Sequence, residues 1–218
     1  MVAIDSSHDA PVMRAEAPHT GQVVLFSILL AVLVAAVSLT LGTPGGDRWP
    51  FAAEMVFRFS VLLFIAAMIA EPLGRLIPVK AMRALGRERP SLILGFAGAS
   101  VISLICTVAP ARLGGEALTA PTVAYCLLTA MVLAVMLFSA HPATMRWLGG
   151  PAWRAMQRVA TAYFWLAFTL AGIGHLVGPH RTDNWHGVSL MLLVGALLIR
   201  FADTFVAHWR TAAAGKAG

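Results

Sequence analysis

Six long apolar runs, near 21–41, 51–71, 91–109, 121–140, 157–177 and 187–206, alternate with short polar segments. A hydrocarbon core about 30 Å thick is crossed by roughly 20 residues of α-helix. Each run has about that length, so the pattern predicts an all-α, polytopic membrane bundle of six transmembrane helices. The implied organisation is an N-terminal tail over 1–20, a six-helix domain over 21–206 and a C-terminal tail over 207–218. No soluble domain of ordinary size fits in what remains. Pro50, Pro90 and Pro121 stand at or just before helix starts, where a missing N–H costs little. Pro44, Gly45 and Gly46 supply turn chemistry between the first two runs. The twenty residues before the first run carry Asp5, Asp9, Arg14 and Glu16 rather than a basic stretch, so that run reads as a retained spanning helix and not a signal peptide.

The polar gaps orient the bundle. Arg75, Lys80, Arg83, Arg87 and Arg89 fall in the second gap, Arg146 and Arg154 in the fourth with Arg158 just beyond, and Arg210 and Lys216 in the tail. The first, third and fifth gaps hold one arginine each, Arg48, Arg112 and Arg181, with Asp47, Glu116 and Asp183 nearby. Lys and Arg accumulate on the cytoplasmic side, so both termini are expected to be cytoplasmic. Trp49 and Trp185 on the outer side, and Trp147, Trp153 and Trp209 on the inner side, suit an aromatic belt at headgroup level.

Composition narrows the function classes. With 59% hydrophobic and 12% charged residues, the chain has lipid as its solvent and the bilayer as its first partner. The net charge of +6 resides in short loops, with no folded basic face, so no nucleic-acid partner is expected. Nucleotide-binding glycine loops, Ser/His/Asp orders and HExxH are all missing, and no catalytic residue is assigned. Cys106 and Cys126, near the outer ends of the third and fourth runs, lack metal-ligand spacing and read as small buried side chains.

Ionisable groups inside a membrane helix need a partner or a route to the interface. Glu54 and Arg58, four apart, and Arg200 and Asp203, three apart, are candidate intramembrane ion pairs. Glu71, before Pro72, is expected at the inner interface. Gly95, Ala99 and Ser103 form a small-residue helix-packing face, with Ser100 beside it. Gln157, Thr161, Phe164, Phe168, Ala171 and His175 share one stripe of the fifth helix, which is expected to face the bundle interior. His175 at its outer end and His186 at the start of the sixth helix are the candidate haem or metal ligands. His141, His180 and His208 have no partner at ligand spacing.

Two stretches, RFSVLLFIAAMIAEPLGRLIPVKAMRALGRERPSLILGFAGASVISL and LGGPAWRAMQRVATAYFWL, carry a PL-x-R-L-x-P segment before a basic loop and W-R-x-x-Q-R opening the fifth helix. From about residue 56 to 206 the chain resembles bacterial ferric-reductase-like transmembrane domains. That class includes the haem-binding membrane subunit of methionine sulfoxide repair systems and the membrane part of NADPH oxidases. The resemblance implies a multi-pass protein of the bacterial cytoplasmic (inner) membrane whose relatives carry electrons through haem b. It also implies histidine ligands at or near Ser100, Ser103, Gln157 and Ala171, and none of these is histidine here. Serine or glutamine cannot replace imidazole as a strong axial ligand.

Three readings follow. The first is a ligand-depleted accessory or scaffold subunit of a membrane redox complex. The second is transmembrane electron transfer through a relocated haem held by His175 and a partner such as His186, exchanging electrons with quinone or a separate reductase chain, since no flavin or nicotinamide domain fits in this one. The third is a small transporter using Glu54, Arg58, Arg200 or Asp203. Helices broken by Gly or Pro at corresponding positions of two halves would favour it, and the sequence does not present them.

Overall fold

A computed structural model describes residues 19–42, 48–77, 79–113, 117–140, 142–177 and 184–214. They form eight helices, α1 (His19–Leu41), α2 (Arg48–Leu76), α3 (Lys80–Arg87), α4 (Arg89–Arg112), α5 (Ala120–Ala140), α6 (Pro142–Leu148), α7 (Gly150–Val177) and α8 (Trp185–Ala214), with no strand among the described residues. Each of the six apolar runs lies in a long helix, α1, α2, α4, α5, α7 or α8. The short helices α3 and α6 fall in the basic gaps and are too brief and polar to register as apolar runs. Helix α3 is held by an amphipathic spacing in which Met82, Leu85 and Gly86 are half-buried. It packs under the end of α2, where an added Cβ on Gly86 would sit 3.3 Å from the Ala70 carbonyl oxygen.

Five described helices are long and apolar enough to cross a membrane: Gly21–Leu41, Arg48–Leu76, Arg89–Arg112, Ala120–Ser139 and Trp185–Trp209. The chain is thus a helical, multi-pass membrane bundle. Helix α7 has 28 residues. It carries Gln157, Arg158, Thr161, Tyr163 and Thr169, and several of them serve contacts inside the bundle. Gln157 donates to Ser139 Oγ of α5, Ser139 Oγ donates to the Met136 carbonyl at 2.8 Å, and Trp153 Nε1 donates to the Ser139 carbonyl at 2.8 Å. Thr129 of α5 and Tyr163 of α7 share a hydrogen bond at 2.9 Å. Gly149, at φ 75°, turns α6 into α7 in a backbone region that side chains disfavour.

Helix α2 is central, against α1, α3, α4 and α8, while α7 joins α5 to α8. The main core is aromatic. Phe64, Phe96, Phe164 and Phe168 interlock with ring centroids 4.9–6.2 Å apart, and Phe57 meets Phe168 edge-on at 5.4 Å. A second cluster joins Ala31 and Ala35 of α1 to Ala52 and Val56 of α2 and to Ala99 and Cys106 of α4. Leu25, Phe26, Leu29 and Leu33 project from the opposite side of α1, as lipid-facing side chains do.

Lipid tails are as apolar as leucine, so packing of small residues draws helices together in a membrane. Ser27, Ala31 and Ala35, at four-residue steps, bring α1 against Gly95 and Ala99 of α4. A Cβ built on Gly95 would lie 2.7 Å from Ser27 Cβ. Gly95→Ala is therefore expected to destabilise by about 1–2 kcal/mol through overpacking. Adding Ser27→Gly should restore the loss, as read by denaturant unfolding in micelles; a double variant no better than the single would refute the close contact.

Candidate functional site

The half of the bundle that holds the start of α8 contains a cavity of about 290 Å³. Three long helices shape it with small residues, Ala53 on α2, Ser100 and Ser103 on α4, and Ala171 on α7, over a floor of Phe57, Phe164 and Phe168. Tyr125 and Thr129 of α5 and His186 of α8 complete the polar wall. Several of the hydroxyls are tied to backbone. Ser103 donates to the Ala53 carbonyl across the α2–α4 interface at 3.0 Å, Ser60 to the Phe57 carbonyl at 2.7 Å, and Thr107 to the Ser103 carbonyl at 2.9 Å. Such bonds satisfy the donors within the helices.

At the rim, Glu54 accepts from Arg58 at 2.5 Å, and His186 Nε2 lies 3.8 Å from Glu54 Oε1. The second distance exceeds hydrogen-bond range, so it is an electrostatic contact that strengthens when the imidazole is protonated. The Arg58 guanidinium lies over the Trp185 ring, 5.7 Å from its centroid, in a cation–π arrangement. Glu54, Arg58, Trp185 and His186 thus fasten the start of α8 to α2.

Of the positions singled out in the sequence, Ser100, Ser103, Ala171, His186 and Glu54 converge on this cavity. Gln157 does not; it is occupied with Ser139 toward the other end of α7. His175 lies in α7, but its side chain is outside the described residues, as are His141 and His180. Gly95 and Ala99 face α1 instead. Cys106 and Cys126 are buried free thiols. No group of three or more His, Cys, Asp or Glu able to hold a metal occurs among the described residues.

The last turns of α2, the start of α4 and the second half of α8 hold a second polar site, toward the opposite end of the bundle. Glu71 pairs through one carboxylate oxygen with Arg75 and through the other with Arg89. Arg75 also reaches Asp203 at 3.3 Å. Asp203 is therefore tied across helices to Arg75, and Arg200 lines the same pocket beside it rather than forming a closed local pair. Sequence reasoning placed Glu71 at the inner interface without giving it a partner. The four-residue step from Glu71 to Arg75 was the available signal; the Arg89 contact, eighteen residues on, had none.

No family model matches this chain, and neither a curated protein nor a solved structure matches it. The cavity itself is a poor fit for the haem that the sequence resemblance implies. Serines and an alanine stand where that class places imidazoles, and one histidine with a described side chain lines the wall, beside a carboxylate. At about 290 Å³ the space falls just below the range for ordinary small-molecule sites, about 300–1,000 Å³.

Proposed function

We propose that this chain is a six-span protein of the ferric-reductase-like class, with both termini cytoplasmic, acting as a ligand-depleted accessory or scaffold subunit of a redox complex in the bacterial inner membrane. The observation that carries this reading is the coincidence of Ser100, Ser103 and Ala171 on the wall of one small cavity above a phenylalanine floor. The space between α4 and α7 is narrowed to a small cavity by Phe164 and Phe168, and no pair of imidazoles faces across it among the described residues. A scaffold role suits a bundle whose polar groups are spent on holding helices together. Six spans are supported by α7, whose 28 residues would cover about 42 Å, more than a bilayer core.

The test is an absorption spectrum of the purified protein, oxidised and dithionite-reduced, with haem quantified per chain. No Soret band is expected. A stoichiometric b-type spectrum, abolished in His175→Ala or His186→Ala, would overturn the scaffold reading and establish a relocated haem. Topology is tested separately. Alkaline phosphatase fused after Gly46, Gly115 or Arg181 should be active, and fused after Arg87, Gly150 or Gly218 inactive; the reverse pattern would invert the orientation.

A further inference from the structure

The inner pocket encloses about 220 Å³ and is lined by Glu71, Arg75, Arg89, Arg200, Asp203 and Thr204. Three guanidinium groups meet two carboxylates there. Both carboxylates are already engaged, Glu71 by Arg75 and Arg89, and Asp203 by Arg75. Arg200 is half-buried, feels both acids at longer range, and also feels the like charge of Arg89. The described residues of the pocket therefore carry one positive charge in excess.

An excess charge matters more here than on a soluble surface. Arg200 lies fifteen residues after Trp185 along α8, roughly 22 Å at 1.5 Å per residue. With Trp185 near one face of a core about 30 Å thick, the guanidinium sits in the inner third and must reach toward the headgroups. A charge at that depth is costly unless compensated. The pocket has room for a compensating anion, since its volume equals about seven water molecules at roughly 30 Å³ each. Arg89 opens α4, whose amino end adds partial positive charge. Planar guanidinium forks match the oxygens of a phosphate group.

We propose that this pocket binds a phosphate group, with Arg200 and Arg89 as its principal contacts. The phosphate is carried by an anionic phospholipid headgroup or by a soluble phosphate. The proposal is independent of the scaffold reading, because it concerns the opposite end of the bundle and requires no redox partner.

The experiment follows thermal unfolding of the purified full chain in dodecyl maltoside. Phosphatidylglycerol, phosphatidylcholine, inorganic phosphate, or sodium chloride at matched ionic strength is titrated into separate samples. Saturable stabilisation by phosphatidylglycerol but not by phosphate assigns the site to lipid; saturable stabilisation by inorganic phosphate beyond the chloride control assigns it to a soluble phosphate. Arg200→Gln should raise the half-saturating concentration at least tenfold. Asp203→Asn, which removes a competing carboxylate, should lower it several-fold, and this variant decides the matter if Arg200→Gln does not fold. Absence of a saturable effect from either phosphate source would overturn the proposal, as would equal or weaker binding by Asp203→Asn.

Discussion

Phe164→Ala is expected to lower the unfolding free energy by about 2–3 kcal/mol while leaving membrane insertion intact. The ring is 1% exposed and touches Phe64, Phe96, Phe168 and Tyr163, so its removal takes away a contact from α2, from α4 and from two neighbours on its own helix. In water such a truncation loses both transfer free energy and packing, about 3–5 kcal/mol together. Within a bilayer the separated helices remain in an apolar solvent, so most of the transfer component drops out and the packing component stays. A void of roughly 100 Å³ at about 24 cal/mol per Å³ accounts for about 2.4 kcal/mol. Phe138→Ala and Phe201→Ala provide the contrast, because those rings are 58% and 64% exposed on the outside of the bundle. Their unfolding midpoints should match the parent. Equal losses at all three positions would mean that aromatic content, and not the interlocked core, sets the stability.

The contrast also explains what the sequence could disclose. Apolar run length located α1, α2, α4, α5, α7 and α8 because crossing lipid imposes a length that few other demands impose. The fifth-helix stripe placed Phe164 and Phe168 on one face, and both are buried. Periodicity says which face is buried but not what it meets. The convergence of Ser100, Ser103, Ala171 and His186 depends on helix crossings that no local pattern encodes. The stripe of Ser27, Ala31 and Ala35 on α1 was equally readable as a small-residue face; its meaning required Gly95 opposite. Arg200 and Asp203 show the limit most directly. Their three-residue spacing suggested a local pair, whereas Asp203 is drawn to Arg75, 128 residues away in sequence. An acid inside a bundle takes the arginine that the fold presents, and sequence proximity is only one way of presenting it.

Glu54→Ala is expected to cost about 2–3 kcal/mol, the other large effect. Breaking a fully buried pair costs about 3–5 kcal/mol, and losing a solvated one costs about 0–1. The Glu54–Arg58 pair lies between these limits, with side chains 41% and 20% exposed at the rim of the cavity. The larger share of the loss comes from Arg58. Without the carboxylate, its guanidinium keeps the Trp185 face but loses the anion bonded to it at 2.5 Å. His186 loses the carboxylate 3.8 Å away at the same time, so the start of α8 should loosen from α2. Hydrogen exchange should report this as faster exchange in residues 185–190, with residues 196–205 unchanged. Glu54→Gln should cost less, because the amide oxygen still accepts from Arg58. Pairing Glu54→Gln with Arg58→Met removes both charges and should recover most of the stability, since apolar replacement of an ion pair is often neutral or better. The double-mutant cycle should give a coupling of about 1–2 kcal/mol. A coupling near zero would mean that Glu54 and Arg58 are solvated separately and that the fastening of α8 to α2 does not rest on their ion pair.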